Sequence, residues 1–204
     1  MSTGWLEQEY RRRDAAGLCE QSLTIRVDND RHKVTRVVQR LLSAAELFEW
    51  MLPQARLYAG VALEEAILNA MVHGNLEVSS TLREADDDAF ERLIAIRQAD
   101  HRYNTRQVTV EMSGSRESMS WRITDEGPGF NVARLPDPRS AERIGLQSGR
   151  GVLMMRAFMD EVVFNTRGNE VTLTKKRSRA PSDILDAIAD AVRSDADMIA
   201  LTNS

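Results

Sequence analysis

Cysteine is almost absent from this chain: Cys19 stands alone among 204 residues. A single cysteine excludes an internal disulfide and any cysteine-rich zinc site. No uninterrupted apolar run approaches the ~20 residues that a bilayer span requires. The N-terminus, Met-Ser-Thr-Gly-Trp-Leu-Glu-Gln-Glu, has no apolar core of the kind a secretory signal carries. Excess positive charge is missing as well. The formal net charge is -4, and Arg11–Arg13 is the one short basic cluster. That balance gives no basis for a nucleic-acid partner, and a solvated N-terminal tail accounts for the cluster. Together these absences lead us to expect a cytoplasmic protein in a reducing setting, without a membrane partner.

What remains is ordinary for a globular protein: 42% hydrophobic and 28% charged residues. The length suits one domain with appendages and permits a real core. Residues 1–21 are polar and mixed in charge and read as an arm. Leu23, Ile25 and Val27 alternate as in a half-buried strand. Asp28-Asn29-Asp30 supplies helix-capping residues before Val34, Val37, Val38, Leu41 and Leu42, which recur at helical spacing. Pro53 suits the first turn of a second helix running to about Val72, with Gly74 as its stop. The charged segment 76–106 carries Asp86-Asp87-Asp88 ahead of Phe90, Leu93, Ile94 and Ile96, the pattern of a short amphipathic helix with an acidic cap.

Two alternating strands follow, Val108–Met112 and Met119–Ile123, joined at Gly114-Ser115. A Gly- and Pro-rich loop over 126–149 leads to a helix at Val152–Met159. Strands near Glu161–Asn165 and Glu170–Lys175 flank the turn Arg167-Gly168-Asn169. Pro181-Ser182 opens a last helix bearing Ile184, Leu185, Ile188 and Val192. Hairpin-linked strands with grouped helices predict an α+β fold, a two-layer α/β sandwich. Its sheet is expected to be mixed but mostly antiparallel, with about five strands and the helices on one face. The expected organisation is an arm over 1–21, a domain over 22–176 with the charged helical segment 76–106, and a helical extension over 177–204.

The second helix is apolar almost all round. At about 100° per residue, Glu65, Asn69 and His73 form one stripe, with Leu57, Val61, Leu68 and Val72 on one flank. Leu63, Ala66, Ile67 and Ala70 lie on the other. A helix apolar on both flanks is largely buried, and an unpaired carboxylate there is expensive. A polar pair satisfied by backbone or water is one explanation. The other is oxygen chemistry: an Asn carbonyl suits Mg²⁺, which shares itself with phosphates and water, and a carboxylate one turn earlier can deprotonate an attacking hydroxyl. Glu64 points away from the stripe. His73, at the helix end, lies at the edge of the same surface.

Asp125 continues the inward face of the strand Met119–Ile123. Glu126-Gly127-Pro128-Gly129-Phe130 follows, where glycine permits close backbone approach to a ligand. A buried carboxylate beside that turn can accept a hydrogen bond from an exocyclic amine such as that of adenine; a turn capped by Asp is the plainer reading. Ser148-Gly149-Arg150-Gly151 opens a helix, so free N–H groups and the positive dipole end offer a phosphate seat. The run is neither a Walker loop nor a dinucleotide fingerprint.

Taken together, Glu65-x-x-x-Asn69, Asp125-x-Gly127-x-Gly129-Phe130 and Gly149-x-Gly151 resemble the N, G1 and G2 boxes of the Bergerat-fold (GHKL) ATPases, which include gyrase B, MutL and the histidine kinases. The resemblance covers about Leu23 to Lys175. Within the group, the run Glu65-Ala66-Ile67-Leu68-Asn69-Ala70-Met71-Val72-His73-Gly74 is similar to the anti-sigma factor serine kinases. That resemblance implies ATP and Mg²⁺ as cofactors, with Asn69 on the metal, Glu65 as catalytic base and Asp125 on the adenine amine. Gly127 and Gly129 would shape the adenine pocket, while Gly149, Arg150 and Gly151 would cradle phosphates. The implied activity is a protein serine/threonine kinase that phosphorylates a small anti-sigma-factor antagonist, sequesters a sigma factor, or does both, often as a homodimer. An ATP-binding partner-switching module with little kinase activity and a histidine-kinase-type ATPase domain are the alternatives. Where relatives often carry Gly-Thr-Thr-Val in the last strand, this chain reads Gly168-Asn169-Glu170-Val171.

Overall fold

A computed structural model describes residues 6–14, 17–46, 48, 50–135 and 150–177. Its framework is a six-stranded sheet: β1 (Leu6–Asp14), β2 (Gly17–Val27), β3 (Val108–Ser115), β4 (Ser118–Thr124), β5 (Glu161–Phe164) and β6 (Glu170–Lys176). The strands lie in the order β1-β2-β3-β4-β6-β5. Every pairing is antiparallel, so the expected α+β fold with a mostly antiparallel sheet is what the structure has, with six strands for the expected five or so.

Apolar alternation sets the register. Leu23 pairs with Met112, Met112 with Trp121, and Trp121 with Leu173. A parallel row runs Ile25, Val110, Ile123, Val171. All eight side chains are buried. A slip by one residue would turn each row to solvent, so one face specifies the pairing. The other face carries charge, with Arg122 paired to Glu111 at 3.4 Å and to Glu170 at 3.9 Å.

The additional strand is β1, in the segment read as an arm. Residues Leu6–Asp14 pair along β2, which begins at Gly17 rather than at Ser22. Its apolar alternation is too sparse to announce a strand. Polar contacts help to hold it: Arg40 on the first helix bonds Glu7 and Glu9.

Helix α1 (Val34–Ala45) buries Val34, Val37, Val38, Leu41, Ala44 and Ala45. Helix α2 (Pro53–Asn69) begins with Pro53 in its first turn and buries Ala59, Ala62, Leu63, Ala66 and Ile67. It packs between α1 and α6 (Arg150–Phe158), where Tyr58 stacks on Phe158 with ring centroids 4.7 Å apart. At Asn69 the α-helical pattern ends. Ala70–Asn75 forms a wider π-type turn, in which the Leu76 N–H donates to the Met71 carbonyl five residues back. The expectation of a regular helix to Val72 stopped by Gly74 is therefore corrected. Wide turns of this kind concentrate at functional sites.

The segment 76–106 forms three helices rather than one: α3 (Ser80–Ala85), α4 (Asp87–Ala99) and α5 (His101–Asn104). Asp86 caps α4 by accepting from the Ala89 N–H at 2.8 Å, and Asp100 caps α5. Phe90 and Ile94 are buried, whereas Ile96 is exposed. The segment is a buttress. Arg97 donates to the Leu76 carbonyl, Gln98 to the Asn29 carbonyl at 2.7 Å, and Arg106 to the Asn75 carbonyl at 2.7 Å. The helix expected after Pro181 lies outside the described residues.

Leu63 is fully buried on α2. Leu63→Ala is expected to cost about 2–5 kcal/mol of unfolding free energy, read as a lower urea midpoint with an unchanged slope.

Candidate functional site

A cavity of about 620 Å³ opens between α2, the loop after β4, the β5–β6 turn and the start of α6. Asn69, His73, Asp125, Gly129 and Gly151 line it. Glu65 adjoins it behind Gly151: a Cβ on Gly151 would lie 2.6 Å from Glu65 Oε2 and 3.2 Å from Asn69 Nδ2. The start of α6 thus sits directly on the polar stripe of α2, with backbone where any side chain would push Glu65 and Asn69 aside.

Glu65 is half-buried while Glu64 is exposed. Burial raises the Glu65 pKa, the adjacent Glu64 carboxylate adds to the rise, and Arg83 partly offsets it. His73 lies at the rim, exposed on one side and facing Phe90 on the other at 6.4 Å between ring centroids. Its Nδ1 contacts the Val78 carbonyl. Because a carbonyl only accepts, Nδ1 carries the proton, and the neutral ring keeps Nε2 as an acceptor. Protein packed around the ring lowers the His73 pKa, with the Val78 bond opposing that effect and Arg83 reinforcing it.

At the opposite end, Asp125 is 8% exposed. Two glycines create its seat. A Cβ on Gly74 would fall within the Asp125 carboxylate, and one on Gly127 would collide with the Gly74 carbonyl. The Gly127 N–H donates to Asp125 Oδ1 at 2.8 Å. Burial pushes the Asp125 pKa up to about 6, against the lowering effects of that N–H, Arg167 and Arg106. Gly129 and Gly168, both at φ 77°, let the loop and the β5–β6 turn interlock: a Cβ on either would strike backbone of the other segment.

Several residues that build the site were not among those singled out from sequence. Asn75, wholly buried, accepts from the Glu126 N–H at 2.8 Å and donates to Asn29 Oδ1 at 2.9 Å. Asn29 in turn donates to the Tyr103 and Arg106 carbonyls, each at 3.1 Å. Asn169 donates to the Asp125 carbonyl at 2.8 Å, and its own carbonyl accepts from the Asp125 N–H at 3.0 Å. The departure at Gly168-Asn169-Glu170-Val171 therefore still secures the loop, through an amide side chain. The signal for Asn75 was its place directly after Gly74; Asn29 looked like a helix cap.

Of the expected site residues, Gly149 lies outside the described residues, and Arg150 is described only as the first residue of α6. Among the described residues, no group of three or more His, Cys, Asp or Glu side chains is arranged to hold a metal ion. None of their helices is long and apolar enough to cross a membrane.

The histidine kinase-like ATPase domain family matches residues 27–175. The match spans most of the chain and runs from the end of β2 through nearly all of β6, and the chain belongs to this family. Domains of this family bind ATP, usually with Mg²⁺. A comparison with curated proteins finds no significant match.

The Asp125 pKa gives a signed prediction. Because it lies near 6 in the folded protein against 3.8 ordinarily, the folded state binds more protons between those values and stability falls as pH rises. Relative to Asp125→Asn, the wild type should gain on the order of 1 kcal/mol as pH drops from about 7.5 to about 5. Urea unfolding of both proteins measures this; parallel pH responses would contradict the raised pKa.

Proposed function

We propose that this ATPase-family member is a protein serine/threonine kinase of the anti-sigma type. It transfers the terminal phosphoryl group of ATP to a small antagonist protein and alternately holds a sigma factor. The observation that carries the catalytic reading is Glu65, a half-buried carboxylate of raised pKa packed against Gly151 and one turn from Asn69. A carboxylate poised closer to neutrality is a better base for a hydroxyl than an ordinary one.

In this reading Asp125 accepts from the adenine amine, and the apolar walls Ile123, Val171 and Met155 hold the base. Gly127 and Gly129 shape that pocket. The start of α6 at Arg150 and Gly151 directs backbone N–H groups at the phosphates, and Gly149 is assigned to the same seat from its place in the sequence alone. Asn69 would hold Mg²⁺ through its side-chain oxygen, and the ion would supply positive charge beside the phosphates. Glu65 takes the proton from the incoming serine hydroxyl as its oxygen bonds to the terminal phosphorus, and ADP departs with the electrons of the broken P–O bond. His73, with Nε2 as an acceptor at the rim, can receive a hydrogen bond from a ligand hydroxyl or bound water. The partner class rests on the likeness of Glu65–Gly74 to anti-sigma kinases.

Radiolabelled ATP and a candidate antagonist test the reaction. Glu65→Ala is expected to lower transfer about 100-fold or more while keeping ATP affinity within a few-fold. Transfer that survives the substitution would remove Glu65 from the base role and favour a partner-switching module. Asn69→Ala should weaken ATP binding in Mg²⁺ about tenfold and much less in EDTA; equal affinities would remove Asn69 from the metal.

A further inference from the structure

Glu77 has a backbone conformation that side chains avoid. Its φ is 53°, and among the described residues it is the one non-glycine with positive φ. Glycine takes that left-handed region freely; a glutamate there is strained, and such strain persists where surrounding structure imposes it, often at functional sites.

The imposing contacts are all local to the cavity. The Glu77 N–H donates to the Gly74 carbonyl at 3.3 Å. Arg106 Nη1 donates to Glu77 Oε1 at 2.9 Å and to the Asn75 carbonyl at 2.7 Å. The Glu77 side chain is only 25% exposed and that of Arg106 20%. Glu77 lines the cavity, and the residue that receives its N–H, Gly74, is packed against the Asp125 carboxylate. The turn therefore holds a second carboxylate on the cavity wall that Asp125 also lines, with its Oε1 engaged by Arg106, a cation that acts on Asp125 as well.

We infer that Glu77 is a specificity-determining residue for the base, forming with Asp125 a pair of acceptors for the two hydrogens of a purine 6-amino group. The inference rests on the nucleotide reading above and deepens it. A 6-oxo purine would set its carbonyl against both carboxylates, leaving buried acceptors facing one another, and the site rejects it. Arg106 keeps the two acids compatible by pairing with Glu77. The charged segment 76–106 thus contributes to base choice through Glu77 and Arg106, at its two ends.

Calorimetric titration with Mg-ATP and with Mg-purine riboside triphosphate, which lacks the 6-amino group, tests this. Glu77→Gly accepts the backbone conformation without strain; Glu77→Gln, nearly isosteric, serves if the glycine variant does not fold. Either variant should bind ATP about tenfold more weakly than the wild type and bind the purine analogue unchanged. Unchanged ATP affinity, or an equal loss for both ligands, overturns the assignment. A wild-type protein that binds neither ligand overturns the nucleotide site itself, and the inference with it.

Discussion

The close approach of Gly74, Asp125 and Gly127 is the constraint on which the rest of the molecule depends. Two backbone segments and one carboxylate share a volume that a Cβ on Gly74 or Gly127 could not enter. To bring Gly74 there, α2 widens into a π-type turn over Ala70–Asn75. To bring Asp125 there, β4 keeps the inward alternation of Met119, Trp121 and Ile123 for one more step. The helix layer and the sheet are joined by packing elsewhere; here they are joined with a charged group between them.

A second layer of contacts secures that junction. The side-chain amides of Asn75 and Asn169 bond the peptide that joins Asp125 to Glu126, and Asn29 holds Asn75 from behind. Each of these groups is buried or partly buried and partnered, the condition under which polar groups in a core rigidify it. Arg106 and Gln98 tie the same network to the segment 76–106. The cavity therefore has one wall made of sheet and turn and another held from behind by α4 and α5.

Much of this was legible in sequence wherever burial imposes a period. Leu23, Ile25 and Val27, or Val108, Val110 and Met112, alternate because one face of each strand is dry. The stripe of Glu65, Asn69 and His73 was visible against its apolar flanks, as was the inward face of Asp125. What escaped lacks a period. β1 runs along the sheet edge and offered no apolar alternation to read. Asn75 bonds across 46 and 51 residues of chain, and no local pattern announces such a partner. Asn29 served in sequence as a cap signal, a role that Asp30 fills by accepting from the His32 N–H. The second helix's irregular end was hidden because a π-type turn uses the same apolar residues as a regular one.

The proposed site is a Mg-ATP cavity oriented with adenine at Asp125 and phosphates at Asn69 and Gly151. A crystal structure with Mg²⁺ and a non-hydrolysable ATP analogue tests it most directly. The adenine amine is expected within about 3.2 Å of an Asp125 oxygen and a cation within about 2.2 Å of Asn69 Oδ1. Nucleotide density elsewhere on the protein, or in the cavity with the base at Asn69 and the phosphates at Asp125, would contradict it.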